Sequence, residues 1–147
     1  MTQFVVEKRI DAPIDRVFAT VSDIRNMSEA LPHVIRYEFL TEQQSGEGTR
    51  FREVRLMQGR EEETELEVTE FVENDHVRMV SDSHGTIWDT VFKVREDGDQ
   101  TRLTMTMDAR PYKLMQRIMV PLIKGMVTKA VDNDMDMVKA YCEGSAE

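Results

Sequence analysis

Cysteine, proline and long hydrophobic runs are all scarce in this sequence. Of its 147 residues, one is cysteine (Cys142) and four are proline. A single thiol forms no internal disulfide and no CxxC metal or redox motif, so a disulfide-stabilised scaffold is excluded and a reducing compartment is favoured. No window reaches the roughly 18 apolar residues of a membrane-spanning helix, and the N-terminal segment lacks the pattern of a signal peptide. We therefore expect a cytoplasmic protein with no membrane insertion.

Positive charge is also in short supply. The chain has 19 Lys and Arg against 28 Asp and Glu, a formal net charge of −9. Nucleic-acid binding needs a clustered Lys/Arg surface, so no nucleic-acid partner is expected, and the same balance disfavours anionic membrane surfaces. Because 40% of the residues are hydrophobic and the length suits one core, residues 1–147 are predicted to form a single globular domain.

The hydrophobic periodicity changes along the chain from strand to helix, then to a series of strands, and back to helix. Residues 3–10 alternate loosely and are rich in Val and Phe, which is typical of a strand. Asp11-Ala12-Pro13 marks the start of a helix, and a second short helix is predicted over residues 26–31. The pattern over residues 111–142 is helical, with Pro121 as a kink or a second start.

Six period-two segments lie between the two helical regions, and their connections carry turn residues such as Gly and Asn. Consecutive strands that are joined by short turns form an antiparallel meander. The six strands are expected at residues 34–40, 49–57, 60–72, 77–83, 86–95 and 101–108.

The first long hairpin has a predictable register. With Gln58-Gly59 as a two-residue turn, Met57 pairs with Arg60. One face of the hairpin is then a ladder of Arg against Glu, each pair contributing about 0.2–1 kcal/mol, and such a ladder belongs in water. The other face is covered, and Glu53 and Arg55 lie on it.

The next two turns extend the same covered face. A turn at His84-Gly85 pairs Ser83 with Thr86, and a turn at Asp97-Gly98 places Phe92 opposite Leu103. One face of the sheet is therefore apolar and rich in Met. The long helix is expected to cover that face with side chains that recur every three or four positions: Met115, Met119, Leu122, Met126 and Ala130.

The order of elements, together with several short segments, resembles the SRPBCC (START-like, pollen-allergen-like) superfamily, and within it the bacterial polyketide cyclase/dehydrase-type proteins. The resemblance covers nearly the whole chain and depends on the order and spacing of the segments. They are Ile10-Asp11-Ala12-Pro13 with Val17-Phe18 and Asp23, Gly48-Thr49-Arg50-Phe51-Arg52-Glu53, Val68-Thr69-Glu70-Phe71, Gly85-Thr86-Ile87-Trp88, and Thr101-Arg102-Leu103-Thr104.

The resemblance implies an α+β helix-grip fold. In this fold a curved seven-stranded antiparallel sheet wraps around a long C-terminal helix, two short helices follow the first strand, and an elongated cavity lies between sheet and helix. Members bind or transform lipids, sterols, polyketides and aromatic metabolites, and a few bind protein partners instead. They share no universal catalytic residue and no cofactor is implied. Fold alone does not decide function.

The predicted ligand-binding residues are the inner-face side chains and a few polar groups that could orient a ligand. The many Met residues suit an adaptable pocket because Met is unbranched, but they also suit an ordinary core, and both interpretations stay open. The predicted set is Tyr37, Phe51, Glu53, Arg55, Met57, Leu66, Met79, Ser81, Trp88, Phe92, Met105, Met107, Met119, Leu122 and Met126.

Two charges on the covered face, Glu53 and Arg55, need partners because an unpaired buried charge is costly. They either bind a polar ligand group or form an inert pair with each other or with Glu62. The candidate catalytic residues are Glu53 and His84, each as an acid or base. No two histidines have the spacing of metal ligands, so no metal site is predicted.

Three functions are compatible with this sequence. The first is binding of a small hydrophobic molecule beneath the C-terminal helix. The second is a cyclase- or dehydratase-like reaction in the same cavity, and the third is a cochaperone-type interaction module whose interior is filled by its own side chains. Both a monomer and a homodimer are compatible with the sequence.

Overall fold

In the computed structural model, which describes residues 2–144, one curved antiparallel sheet of seven strands packs against four helices. The sheet order is β1-β7-β6-β5-β4-β3-β2, so the first two strands of the chain form its opposite edges. The predicted helix-grip fold is confirmed. The elements are β1 (Thr2–Ile10), α1 (Ile14–Val21), α2 (Ile24–Ala30), β2 (Val34–Phe39), β3 (Arg50–Met57), β4 (Arg60–Val72), β5 (His76–Ser83), β6 (Thr86–Asp97), β7 (Gln100–Pro111), α3 (Leu114–Leu122) and α4 (Lys124–Gly144).

The two short helices α1 and α2 connect the edge strands. Pro13, with φ of −69°, precedes the first turn of α1, where proline is pre-organised for a helix. Helix α2 begins at Ile24, two residues before its predicted start, because the Asp23 carboxylate accepts a hydrogen bond from the Arg25 backbone N–H at 2.9 Å.

Two of the three predicted hairpin registers are confirmed, and the third is wrong by two residues. Met57 pairs with Arg60, and Ser83 pairs with Thr86. Phe92, however, pairs with Met105 and not with Leu103. The loop that joins β6 to β7 consists of Gly98 and Asp99, with Gly98 at φ of 64°, so the turn lies one residue later than expected. A slip of two residues keeps every side chain on its predicted face.

The predicted ladder of Arg against Glu lies on the outer face of β3 and β4. Arg52 alone contacts Glu38 at 2.9 Å, Glu63 at 3.2 Å and Glu65 at 3.6 Å. These glutamates are more than half exposed, so the ladder is solvated.

The predicted single C-terminal helix is two helices in the structure. Helix α3 ends at Leu122 and α4 begins at Lys124, with Ile123 between them and Pro121 inside the last turn of α3. The second half of α4 packs on the core through Met135, Val138 and Cys142. No helix within residues 2–144 is long and apolar enough to span a bilayer.

A charged network covers the outer face of β4 to β7. The Asp89 carboxylate accepts from Arg78 at 2.6 Å and from Arg110 at 3.2 Å. Glu70 contacts Arg78 at 2.8 Å and the His76 Nε2 at 3.0 Å, and His76 Nδ1 contacts Asp75.

This network predicts a pH-dependent stability. The hydrogen bond with Asp75, and then that with Glu70, raises the pKa of His76 above its ordinary 6.5. The protonated ring therefore stabilises the fold fully below pH 6.5, and this contribution is lost as the pH rises through the raised pKa. We expect the free energy of unfolding to fall by up to about 1 kcal/mol across that window.

Urea denaturation of the wild type and His76→Gln at about pH 6 and about pH 9 measures this effect. His76→Gln should remove the pH dependence, whereas His84→Gln, at an exposed hairpin histidine, should keep it. An identical pH profile for wild type and His76→Gln would contradict the assignment.

Candidate ligand-binding cavity

A cavity of about 890 Å³ lies between the concave face of the sheet and helices α3 and α4. The inner faces of β3 to β7 form one wall, and α3 and α4 form the other. Val21, Ile24 and Met27 of α1 and α2 also contribute to its lining. The period-two pattern of the strands creates this wall, because every second side chain points toward the helices.

Most residues of the predicted set line this cavity, and the structure brings them together from five strands and two helices. The exceptions are Tyr37 and Leu122. The lining members of the set are Phe51, Glu53, Arg55, Met57, Leu66, Met79, Ser81, Trp88, Phe92, Met105, Met107, Met119 and Met126, together with the catalytic candidate His84.

Leu122 points into solvent, with 75% of its surface exposed. Helix α3 contacts the sheet through Val120, which packs with Phe4 and Ala109. Leu122 follows Val120 by two residues and therefore lies about 200° around the helix from it. Its prediction as a wall residue is wrong.

Tyr37 lies on the edge strand β2 and does not reach the cavity. A bulge between Val34 and Arg36 shifts the register of β2. The Tyr37 ring packs edge-on against Phe39 with centroids 5.9 Å apart, and the Arg25 guanidinium of α2 covers Phe39 at 5.5 Å. Tyr37 thus belongs to the contact between α2 and β2, and its prediction as a wall residue is also wrong.

The methionines of the cavity fall into two groups. Met79 and Met105 are buried, and both belong to the main core cluster. Met57, Met115, Met119 and Met126 line the cavity while 44–69% of their surface is exposed. The first group is core that borders the cavity, and the second marks where the cavity opens to solvent.

The cavity opening is bounded by α3 and by two hairpin tips, β3–β4 and β5–β6. Residues 57–60 and 83–86 of these tips line the cavity except for Gly59 and Gly85. The β5–β6 tip is fastened to the start of α3, because the Gly85 carbonyl accepts from the backbone N–H of Tyr112 at 2.9 Å. Gly85 has φ of 88°, and a Cβ there would lie 2.7 Å from Lys113 Cδ, so only glycine fits this junction.

A charged cluster lies in the cavity wall on β3 and α4. The Arg55 Nε donates to Glu53 at 3.0 Å, and its Nη1 donates to Asp134 at 2.8 Å. His33 Nε2 lies 3.2 Å from Asp134 and 3.3 Å from Arg55 Nη1. The Glu53 side chain is 10% exposed, that of Asp134 15%, and that of Arg55 25%, so the cluster is largely desolvated.

The cluster carries more negative than positive charge when His33 is neutral. Burial lowers the pKa of the Arg55 guanidinium, but the charges of Glu53 and Asp134 outweigh this effect and raise the pKa above its ordinary value. Arg55 therefore stays a cation. Its Nη2 has no hydrogen-bond partner within residues 2–144.

The sequence analysis identified Glu53 and Arg55 but missed their partners Asp134 and His33. The inert pair that it considered, Arg55 with Glu53, forms, and the ion pair with Asp134 extends it. A signal for Asp134 was present, because it continues the series Met126, Ala130 at a spacing of four on the cavity face of α4.

The chemistry of the cavity is that of an apolar chamber with a polar cluster in its wall. Ser81, Thr64 and Thr90 add hydroxyl groups to the same strand face. Within the described part of the chain, no group of three or more His, Cys, Asp or Glu is placed to hold a metal ion. The arrangement suits a molecule with a large apolar body and a few oxygen or nitrogen atoms.

Comparison with known proteins identifies relatives of this architecture. The sequence matches the family described as polyketide cyclase / dehydrase and lipid transport over residues 1–143. No protein of curated function matches it.

Solved structures with very different sequences share the fold. TTHA0849 from Thermus thermophilus has a TM-score of 0.80 at 17% identity, over 99% of this chain and 100% of its own. The di-domain ARO/CYC StfQ from the steffimycin biosynthetic pathway has 0.79 at 12%, over 98% of this chain and 51% of its own. Ara h 8.0201 has 0.74 at 11%, over 96% and 97%. At these identities the likeness concerns the fold alone.

Proposed function

This chain belongs to the polyketide cyclase/dehydrase and lipid transport family, and from that premise we propose that it binds a small hydrophobic molecule in the cavity beneath α3 and α4. The observation that carries the proposal is the size and lining of the cavity. Its volume of about 890 Å³ lies in the range of roughly 300–1,000 Å³ that small-molecule sites occupy. Apolar side chains dominate its walls.

Burial of apolar surface supplies the affinity in this proposal. At about 25 cal/mol per Å², a ligand that buries roughly 300 Å² of apolar surface gains about 7 kcal/mol before the costs of association. The exposed methionines at the opening are flexible and adapt to ligands of different shape. The site is therefore suited to a class of molecules, such as lipids, polyketides or aromatic metabolites.

The charged cluster orients the ligand. Arg55 Nη2 is free of protein partners within residues 2–144, and the group lies in the cavity wall. A hydroxyl, ketone or carboxylate oxygen of the ligand accepts a hydrogen bond from this nitrogen. Because Glu53 and Asp134 already balance the charge of Arg55, a neutral oxygen is favoured over a carboxylate.

Native mass spectrometry of the purified chain, followed by organic extraction, tests the proposal. We expect a retained apolar molecule of a few hundred daltons, or uptake of the neutral probe N-phenyl-1-naphthylamine with a fluorescence increase. A clean unliganded mass together with no uptake of this probe would refute hydrophobic ligand binding. It would also favour the interaction module, which otherwise loses support because the cavity is open.

A cyclase- or dehydratase-like reaction in the same cavity is the second candidate. It is favoured by the buried carboxylate of Glu53, which lines the cavity beside Arg55. Turnover of the extracted class of compound, abolished by Glu53→Gln while binding persists, would distinguish an enzyme from a carrier. His84 lies at the opening, on the hairpin tip, and is exposed.

A further inference from the structure

Charge is distributed very unevenly along this acidic chain. Residues 109–131 contain five Lys or Arg and no Asp or Glu, whereas the rest of the chain contains 14 Lys or Arg and all 28 Asp and Glu. This basic segment comprises the end of β7, all of α3 and the start of α4. Its basic residues are Arg110, Lys113, Arg117, Lys124 and Lys129.

The same segment exposes a stripe of large apolar side chains. Leu114, Ile118 and Leu122 recur every four residues on α3 and are 75%, 59% and 75% exposed. None of the three lines the cavity. Side chains with this exposure protrude from the surface, so the stripe is a ridge and not a groove. We call these three residues the α3 ridge.

The cations around the α3 ridge have no structural role that would explain them. Lys113, Arg117, Lys124 and Lys129 form no ion pair within residues 2–144. Lys113 is the N-cap of α3 and Arg117 follows one turn later, where the helix dipole disfavours positive charge. No side chain caps this helix end and Pro121 interrupts its last turn, so α3 is poorly stabilised by its own sequence.

We propose that the α3 ridge and the four unpaired cations dock this protein on the surface of an anionic lipid bilayer. A short amphipathic helix that lies in the bilayer interface buries apolar side chains among the lipids while flanking Lys and Arg contact anionic headgroups. A protruding ridge fits a deformable bilayer. A folded protein partner would instead need a matching groove.

The local charge decides the docking, and the net charge does not. Charges that lie farther than about 8 Å from the headgroups are screened at physiological salt, so the acidic remainder of the chain contributes little once α3 is at the surface. Its repulsion does fix the orientation, because only the basic segment is attracted. A second copy of the chain is a poorer occupant, since a symmetric contact would place the same cations against one another.

This orientation places the cavity opening at the bilayer, a consequence that rests on the proposed function. Met115 and Met119 lie on α3 beside the ridge and line the cavity. A hydrophobic ligand would then pass between lipid and cavity past these side chains without crossing water.

Flotation of the full chain with phosphatidylcholine vesicles, with and without about 30 mol% phosphatidylglycerol, tests the proposal. We expect the chain to float with the anionic vesicles at about 0.1 M NaCl, and at least tenfold less with neutral vesicles or at about 1 M NaCl. Arg117→Glu/Lys124→Glu and, separately, Ile118→Glu should each weaken vesicle binding by about tenfold or more.

Matched controls carry the same changes elsewhere on the surface. Lys93→Glu/Arg95→Glu makes the same change in charge on β6, and Val5→Glu replaces an apolar side chain that is also 59% exposed. Both should bind anionic vesicles like the wild type. None of the substituted residues lines the cavity, so uptake of N-phenyl-1-naphthylamine by every variant reports folding and ligand binding separately from docking.

Three results would overturn the proposal. They are no flotation of the wild type with anionic vesicles, equal flotation with neutral ones, and equal losses in the test and control variants. Sedimentation equilibrium that shows a dimer abolished by Ile118→Glu would assign the ridge to a second copy of the chain instead. Vesicle binding without probe uptake would retain the docking surface and reject the proposed cavity ligand.

Discussion

Ala130→Trp is expected to abolish hydrophobic ligand binding while leaving the protein folded. Ala130 lies on α4 and lines the cavity, so an indole at this position enters the space that the ligand needs. A Trp side chain buries about 150–250 Å² of surface, which replaces much of the contact that a small ligand makes. We expect the affinity for N-phenyl-1-naphthylamine to fall by at least about 100-fold, equivalent to about 2.8 kcal/mol.

The stability of this variant should change little, because the new side chain fills existing space and does not force packed atoms apart. Overpacking of a filled core costs about 1–3 kcal/mol, so a free energy of unfolding within about 1 kcal/mol of wild type would itself indicate an open cavity. Ala140→Trp provides the control, since Ala140 lies on the same helix but is exposed. Unchanged probe affinity in Ala130→Trp would mean that the probe binds elsewhere.

Arg55→Ala is expected to destabilise the protein by about 2–4 kcal/mol, because it leaves two largely buried carboxylates, Glu53 and Asp134, without their shared cation. The value lies toward the lower part of the range for buried pairs, since a quarter of the Arg55 side chain is exposed. Urea denaturation of the variant and wild type measures the difference.

Arg52→Ala is a matched control for this prediction. Arg52 lies three residues earlier on the same strand and contacts three glutamates, but these are 53–65% exposed. Solvated pairs contribute little, so its loss should cost less than about 1 kcal/mol.

A second substitution in the variant tests the mechanism. Glu53→Gln in the Arg55→Ala background removes one of the two uncompensated charges and should recover at least about 1 kcal/mol. Equal losses for Arg55→Ala and Arg52→Ala, or no recovery with Glu53→Gln, would show that the cluster is as well solvated as the outer ladder.

Local signals predicted the sheet and one cavity wall well. Gln58 and Gly59 have φ of 53° and 78°, which is the left-handed pair that a tight hairpin turn requires, and such a turn fixes the register. Once the register is fixed, alternation determines which side chains point inward. The positions of Phe51, Met57 and Leu66 in the wall follow from these two rules.

The errors arose where two solutions satisfy the same local rule or where a partner is remote. Asp97-Gly98-Asp99 accommodates a two-residue loop in two places, and both keep the faces of the strands unchanged. Apolar residues occur on more than one side of α3, so their spacing alone did not separate Leu122 from the lining residues Met119 and Met126.

Remote partners were beyond the reach of the sequence for a different reason. Asp134 is 79 residues from Arg55 along the chain, and only the packing of α4 against the sheet brings them together.

The position of β1 has a consequence for how the chain folds. Its partner in the sheet is β7, and Thr2 pairs with Ala109, more than a hundred residues later. A chain that emerges from the ribosome N-terminus first therefore holds the apolar residues Phe4 and Val6 without a partner until almost the whole sequence has been made. Closing so long a loop is entropically costly and slow, so folding is delayed to the end of synthesis and the nascent chain depends on other factors to avoid aggregation.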